Sequence, residues 1–170
     1  KNPRQLYDSN VRGTENICSK TTELSKLLIY TSSVATLGIN SDYSSANEET
    51  KVSLQDMIGD YKRSKYLAEK IVFKFIKKKK MKGIVVNPST PIGFGDIKPT
   101  PTGKIIYDVL LGKMPAYVDT GLNIVHVEDV AEGHFLALKH GKFGEKYILG
   151  GENLDFKDFL DYISELGKKP

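Results

Sequence analysis

The stretch LLIYTSS occupies residues 27–33, and a second apolar stretch, GIVVNP, occupies residues 83–88. A short continuous apolar run that ends in polar residues or proline is typical of a strand buried on both faces of a parallel sheet. We therefore predict buried parallel strands over 27–31 and 84–88. Reactive groups in open α/β sheets gather outside the carboxyl ends of the strands, so the three hydroxyl-bearing residues that end the first stretch are candidate functional groups.

Helix and strand patterns alternate along the rest of the chain. Asn2 followed by Pro3 predicts the N-cap and first residue of a helix. The spacing of apolar residues predicts helices over 3–23, 54–80, 103–112, 128–140 and 155–166. Further short strands are predicted at 116–118, 124–127 and 147–149, and loops at 38–53 and 89–103. This alternation predicts an α/β fold with a parallel sheet.

The composition excludes several classes of protein. The 170 residues are 39% hydrophobic and 27% charged, which is ordinary for a globular domain and unlike a collagen-like, disordered or coiled-coil chain. The net charge of +4 is spread along the chain, and the lysine run at 77–80 fits a helix C-terminus, so we expect no nucleic-acid partner. A single cysteine, Cys18, excludes an internal disulfide. No segment resembles a transmembrane helix or a signal peptide, so we expect no membrane span and a cytoplasmic location.

Tyr61 and Lys65 are the most informative pair in the sequence. They lie four positions apart in a predicted helix, so both side chains share one face. An ammonium group beside a phenol favours the phenolate, and such a tyrosine can exchange a proton near neutral pH. The pair alone also fits a packed tyrosine beside a solvated lysine. The combination with Ser33, 28 residues before Tyr61, is more specific, because a hydroxyl at the strand end could bond a substrate oxygen next to the phenol.

Five segments together resemble the extended short-chain dehydrogenase/reductase family, also called the NAD-dependent epimerase/dehydratase family. They are NVRGTEN at 10–16, YTSSVATLG at 30–38, YKRSK at 61–65, NPSTPIG at 87–93 and IVHVEDVA at 124–131. The resemblance covers nearly the whole chain and is greatest to dihydroflavonol-reductase-like and hopanoid-associated sugar epimerase-like proteins. It implies a Rossmann-like parallel sheet flanked by helices.

The resemblance also implies roles for individual residues. Tyr61 would be the general acid/base, Lys65 would tune it and hold the nicotinamide ribose, and Ser33 would bond the reacting oxygen. The cofactor would be NAD or NADP, and the chemistry would be hydride transfer at a carbinol or carbonyl carbon. The residues expected near the cofactor are Asn10, Thr31, Tyr61, Lys65, Pro88, Ser89 and Thr90.

The glycine-rich turn that binds the pyrophosphate of a dinucleotide does not occur in this sequence. We therefore expect a fragment of a longer protein, incomplete at its N-terminal side, which binds the cofactor weakly by itself. Its first part, 1–100, would be the second half of a Rossmann-like domain that carries the serine, tyrosine and lysine. Its second part, 101–170, would be a partial substrate-side region mixed with the last Rossmann elements.

The expected substrate is a small molecule, either a nucleotide sugar or a related hydroxyl or carbonyl compound, handled by an epimerase or a reductase. Dehydration ranks low, because Val34 and Ala35 stand where family dehydratases carry an acidic residue. We expect no metal site, and a structural hydrogen bond for His126. We also expect self-association, through the helices at 3–23 and 54–80 or through an exposed sheet edge. The alternative is a non-catalytic α/β domain that keeps only the scaffold.

Overall fold

The computed structural model describes residues 2–40, 42 and 44–168. The chain divides into two compact units, each described by itself below. Unit 1 comprises Lys1–Pro88 and Glu132–Ile148, and unit 2 comprises Ser89–Ala131 and Leu149–Pro170. The bounds of these units differ from the division into 1–100 and 101–170 that we predicted from the sequence. The chain leaves unit 1 at the end of a strand and returns to it within a helix.

Unit 1 is a three-stranded sheet with helices packed against it. Its elements are α1 (Pro3–Tyr7), a π-helical segment (Asp8–Arg12), α2 (Gly13–Glu23), β1 (Leu27–Thr31), α3 (Asp60–Lys79), β2 (Lys82–Pro88), the second part of α5 (Val127–His140) and all but the last residue of β5 (Lys146–Leu149). The strand order is β1-β2-β5. A parallel sheet flanked by helices is therefore confirmed for this unit.

The first helix begins as its sequence predicts. The side chain of Asn2 accepts a hydrogen bond from the Arg4 amide at 3.0 Å, and Pro3 occupies the first turn, where its missing N–H costs no hydrogen bond. The helical stretch then continues to Glu23, but residues 8–12 form a π-helical turn. This turn interrupts the regular helix predicted over 3–23.

Parallel pairing joins β1 to β2. The register runs from Leu27 opposite Lys82 to Thr31 opposite Val86, and Ser32 extends it by donating from its amide to the Val86 carbonyl at 2.7 Å. Strand β2 is buried from Gly83 to its end, as predicted. Strand β1 is only half-buried, so its predicted burial on both faces is wrong, and within the described sheet it is an edge strand.

The core of unit 1 lies between α2, α3 and β2. Cys18 and Val72 are fully buried, and Met81 and Val85 complete the cluster. The partly buried side chains packed against it are those of Leu28, Tyr30, Ile71, Phe73, Phe75 and Ile76. The apolar faces of the two helices thus supply this core, in agreement with the predicted periodicity.

The helix predicted over 54–80 begins later than expected. Residues 54–56 form a separate 3₁₀ turn, in which Asp56 accepts hydrogen bonds from the Ser53 amide at 2.7 Å and hydroxyl at 2.8 Å. Gly59 then adopts a positive φ of 84°, which breaks the helical path before α3 starts at Asp60. The apolar periodicity spans both segments and does not reveal this break.

Unit 2 contains a second three-stranded sheet, of order β3-β4-β6. Its elements are β3 (Thr90–Ile92), α4 (Pro101–Leu110), β4 (Gly121–His126), the first turn of α5, β6 (Glu152–Asp155) and α6 (Phe156–Leu166). Strand β4 pairs parallel with β3 and antiparallel with β6. The core residues are Val109, Ile124, Phe159, Leu160 and Ile163.

Two sequence predictions fail in unit 2, and one strand was not predicted. The strand predicted at 116–118 is irregular chain, and the predicted loop at 89–103 contains β3. Strand β6 was not predicted, because its sequence, ENLD, has little apolar character. This sheet is therefore mixed, with one parallel and one antiparallel pair.

No helix among the described residues is both long and apolar enough to cross a membrane.

Cys18 provides a direct test of the core of unit 1. Burial, with a smaller contribution from the charge of Glu15, raises the pKa of its thiol to about 11. Thiolate is therefore scarce at about pH 8, and the folded chain should react with a disulfide reagent only after denaturant is added. The measurement is the rate of thiol labelling with and without denaturant.

The matched control is the double variant Cys18→Ala/Ser19→Cys, which moves the only thiol to the next, exposed position of α2. This variant should label at once in native buffer. Equally rapid labelling of the unaltered chain would contradict the packing described for α2 and β2.

Candidate active site

The carboxyl ends of β1 and β2 carry three of the predicted site residues of unit 1, Thr31, Ser33 and Pro88. Because the two strands are parallel, Thr31 ends one strand and Ser33 follows it where Asn87 and Pro88 end the other. The side-chain amide of Asn87 donates to the Ser33 carbonyl at 3.0 Å. The turn after β1 and the end of β2 therefore lie side by side at this edge, and the functional role of their residues stays a prediction.

Helix α3 brings Lys65 to the end of β1. Its ammonium group donates to the Thr31 carbonyl at 3.0 Å and lies 5.4 Å from the centre of the Tyr30 ring. Burial lowers the pKa of Lys65, and the carboxylate of Glu69 partly opposes that shift. Two of the three ammonium protons are not used by the hydrogen bond to Thr31, so the lysine retains donors for a ligand.

Tyr61 lies in the first turn of α3, one turn before Lys65. Its side chain is 52% exposed, and its hydroxyl bonds to no other described residue. The phenol is therefore accessible from solvent.

Ser33 is fixed by its backbone and by its hydroxyl oxygen. It caps the 3₁₀ turn Val34–Thr36, and its Oγ accepts a hydrogen bond from the Ala35 amide at 3.2 Å. Its carbonyl accepts from the Thr36 hydroxyl at 2.8 Å as well as from Asn87. A hydroxyl that accepts from an amide keeps its own proton for another acceptor, so Ser33 can donate to a substrate oxygen.

Asn10 lies in the π-helical turn, a feature that occurs often at functional sites. Its amide nitrogen donates to the Ser64 hydroxyl at 3.0 Å, and that hydroxyl donates to the Tyr61 carbonyl at 2.9 Å. Asn10 is therefore linked to the turn of α3 that carries Tyr61. This places the residue beside the predicted catalytic pair, in a supporting position.

The segment after β2 divides between the two units. Pro88 is the last residue of unit 1, whereas Ser89 and Thr90 belong to unit 2, where Thr90 pairs with Ile124. Ser89 donates from its amide to the Leu149 carbonyl at 3.1 Å, and its buried hydroxyl has no described partner. Their predicted role near a cofactor stays a prediction.

His126 forms local contacts within unit 2. Its Nδ1 accepts from the Glu128 amide at 3.3 Å, and its side chain is half exposed. These contacts agree with the structural role expected for it.

Sequence analysis missed three polar residues that surround the strand ends. His134 lies 2.8 Å from the Thr31 hydroxyl, and Asn87 and Glu69 form a buried hydrogen-bonded cluster with the turn around Ser33. Glu69 follows Lys65 by four positions on α3, so the helical spacing could have indicated it. Asn87 lies near the end of the predicted strand at 84–88 and in the segment at 87–93, so the sequence could have indicated it as well. His134 is brought to the site by tertiary structure, for which the local pattern gives no signal.

Comparison with known proteins gives consistent results. The family model described as "NAD dependent epimerase/dehydratase family" matches residues 1–150. The putative dihydroflavonol 4-reductase of Synechocystis is 44% identical over all of this chain, and sterol demethylase protein B of Methylococcus capsulatus is 30% identical over 98% of it. The crystal structure of gox2253 matches the whole chain with a TM-score of 0.97 and 52% identity. The chain covers 51% of each of the two relatives and 52% of gox2253, so it spans about half of their length.

The hydrogen bond from Asn10 can be tested in this chain. Replacing Asn10 by Ala removes a part-buried bond to Ser64 and should lower the free energy of unfolding by about 1 kcal/mol relative to a matched substitution. The matched control is Asn16→Ala, the same chemical change at an exposed position of α2. Urea unfolding of both variants gives the difference, and equal midpoints would show that the bond contributes nothing to stability.

Proposed function

The chain belongs to the NAD dependent epimerase/dehydratase family, and from this premise we propose that unit 1 carries the proton-transferring part of an NAD(P)-dependent oxidoreductase. The proposal rests on the arrangement of three side chains near the end of β1. An accessible phenol, a part-buried ammonium group and a serine hydroxyl with an uncommitted proton are all held by α3 or by the turn after β1. These are the groups that a reversible transfer between a hydroxyl and a carbonyl requires.

In this proposal Tyr61 is the general acid and base. Its phenol gives a proton to the substrate oxygen during reduction and takes it back during oxidation. Lys65, one turn away, stabilises the phenolate form through its positive charge. Ser33 donates a hydrogen bond to the same oxygen and orients it towards Tyr61. A bound nicotinamide would supply or accept the hydride, and with it the electron pair, at the substrate carbon.

The residues present fit one end of a nicotinamide cofactor. Lys65 has two unused protons for the hydroxyls of a ribose, and Asn87 Oδ1 is a buried acceptor without a described partner. Thr31 and Asn10 are already engaged by His134 and Ser64, so we assign them to support of the site. The sequence holds no glycine-rich turn for the pyrophosphate, so these residues fit the nicotinamide-ribose end of NAD or NADP.

A cavity in unit 2 supports a carbonyl compound as the substrate rather than a nucleotide sugar. Its volume is about 480 Å³, within the range of small-molecule sites. The lining is largely apolar, contains no Lys, Arg or His, and has one carboxylate, Asp96. A diphosphate would find no cationic partner there. The relative named a putative dihydroflavonol 4-reductase supports reduction over epimerisation.

Self-association stays a prediction. Helices α2 and α3, which we expected to form a dimer interface, pack on each other within the chain. The outer edge of β1 has no partner strand among the described residues, so it is the better candidate for pairing with a second chain.

Substitution at the two central residues tests the mechanism in a protein of the full family length. Tyr61→Phe should lower kcat at least about 100-fold, because the acid/base proton is lost while the ring remains. Cofactor affinity should change little. Lys65→Ala should weaken both turnover and cofactor binding, since the lysine serves both. The assay follows oxidation of NADH or NADPH with aldehydes, ketones and nucleotide sugars.

Two controls match these variants. Tyr162→Phe removes a hydroxyl of similar exposure from α6, and Lys62→Ala removes an exposed lysine from the same turn of α3. Both should keep full activity. Undiminished turnover by Tyr61→Phe would contradict the assigned mechanism, and no turnover of any substrate class by the unaltered protein would contradict the proposed function.

A further inference from the structure

A buried carboxylate lies directly behind the turn that carries Ser33. Glu69 is only 6% exposed and is located on α3, one turn after Lys65. Burying a carboxylate is costly unless hydrogen bonds and charges replace the lost hydration. The contacts of Glu69 therefore indicate what the residue holds in place.

Three donors converge on one oxygen of this carboxylate. Glu69 Oε2 accepts from the Ser32 hydroxyl at 2.5 Å, from the Thr36 hydroxyl at 2.8 Å and from the Asn87 amide nitrogen at 3.0 Å. The other oxygen lies 3.9 Å from the ammonium group of Lys146, which is itself 17% exposed. All of these partners belong to unit 1.

Two of the donors lie on either side of Ser33 in the chain, and the third reaches it across the sheet. Ser32 and Thr36 bracket Ser33, and both hydroxyls point at Glu69. Asn87 Nδ2 is within 3.0 Å of both the Ser33 carbonyl and Glu69. The carboxylate and the Ser33 carbonyl thus share two donors, the Thr36 hydroxyl and the Asn87 amide.

Three donors that face one oxygen favour an acceptor with a negative charge. Ser32 and Thr36 supply one proton each and Asn87 supplies two, and the single Thr36 proton is shared between the Ser33 carbonyl and Glu69 Oε2, each 2.8 Å from its hydroxyl oxygen. A carboxylate accepts and does not donate, so it keeps the amide nitrogen of Asn87 turned towards the Ser33 carbonyl. An amide or hydroxyl in its place would lose the negative charge that these donors face and would add a donor of its own.

We propose that Glu69 is a positioning residue for Ser33: its carboxylate holds Ser32, Thr36 and Asn87 so that the Ser33 hydroxyl stays at the end of β1 with its proton directed to the reacting oxygen. This inference rests on the proposed function, because it needs Ser33 to touch the substrate. Glu69 itself does not touch it. The negative charge also lies on the helix face of Lys65, where it favours the ammonium form.

Glu69→Gln is the sharpest test, since it keeps the shape of the side chain and removes the charge. In a protein of the full family length we expect kcat to fall about 10- to 100-fold, because a small displacement of a reacting group has effects of that size. The KM for the cofactor should stay within about twofold of the unaltered value. Glu132→Gln, at an exposed position of α5, is the matched control and should change neither constant.

A double-mutant cycle with Ser33→Ala separates positioning from a merely structural role. Ser33→Ala keeps the backbone carbonyl and the whole cluster but removes the hydroxyl. If Glu69 acts through Ser33, Glu69→Gln should have little further effect on kcat in the Ser33→Ala background. Equal losses in both backgrounds would overturn the inference.

Two further outcomes keep the proposals distinct. If Ser33→Ala leaves turnover unchanged, the role proposed for Ser33 is contradicted, and so is this inference, which depends on it. If Ser33→Ala lowers turnover but Glu69→Gln does not, the inference alone fails.

A measurement that does not depend on catalytic activity can be made on the 170-residue chain. The amide of Ala35 donates to the Ser33 hydroxyl, so its NMR chemical shift reports the position of that oxygen. Glu69→Gln should move this resonance well beyond any change in Glu132→Gln, in a chain that still unfolds cooperatively. An unmoved Ala35 resonance in a folded Glu69→Gln variant would contradict the positioning role.

Discussion

The parallel pairing of β1 with β2 is the constraint on which the site depends. Parallel strands end at the same edge of a sheet, and the bond from the Ser32 amide to the Val86 carbonyl extends that pairing beyond the last residue of β1. The turn with Ser33 must therefore form beside Asn87. A slip in register would separate the serine hydroxyl from its support while leaving each strand intact.

Helix α3 adds the charges that this edge lacks. Its successive turns present Tyr61, Lys65 and Glu69 at intervals of four residues, so one helix face holds a phenol, a cation and a buried anion. The cation bonds the end of β1, and the anion bonds the turn that follows it. Each charge is only partly hydrated, and each is compensated by the groups that it holds in place.

Local patterns predicted the strands at 27–31 and 84–88 and the Tyr61–Lys65 pair, because apolar runs and helical spacing are properties of neighbouring residues. The start of α3 could not be predicted in the same way, since a capped 3₁₀ turn and Gly59 interrupt the path without interrupting the apolar pattern. Strand β6 is defined by its pairing with β4, and Glu69 is hydrogen-bonded to residues far from it in the sequence. Tertiary contacts of this kind leave no local trace.

We propose that unit 1 provides the nicotinamide end of a cofactor site, whereas the sequence contains no glycine-rich turn for the pyrophosphate. Titration with NADH and NADPH, followed by nicotinamide fluorescence, tests it most directly in the 170-residue chain beside a protein of full family length. We expect saturable binding by the longer protein and no saturation by this chain up to millimolar cofactor. Equally tight binding by both, or binding by neither, would contradict the account.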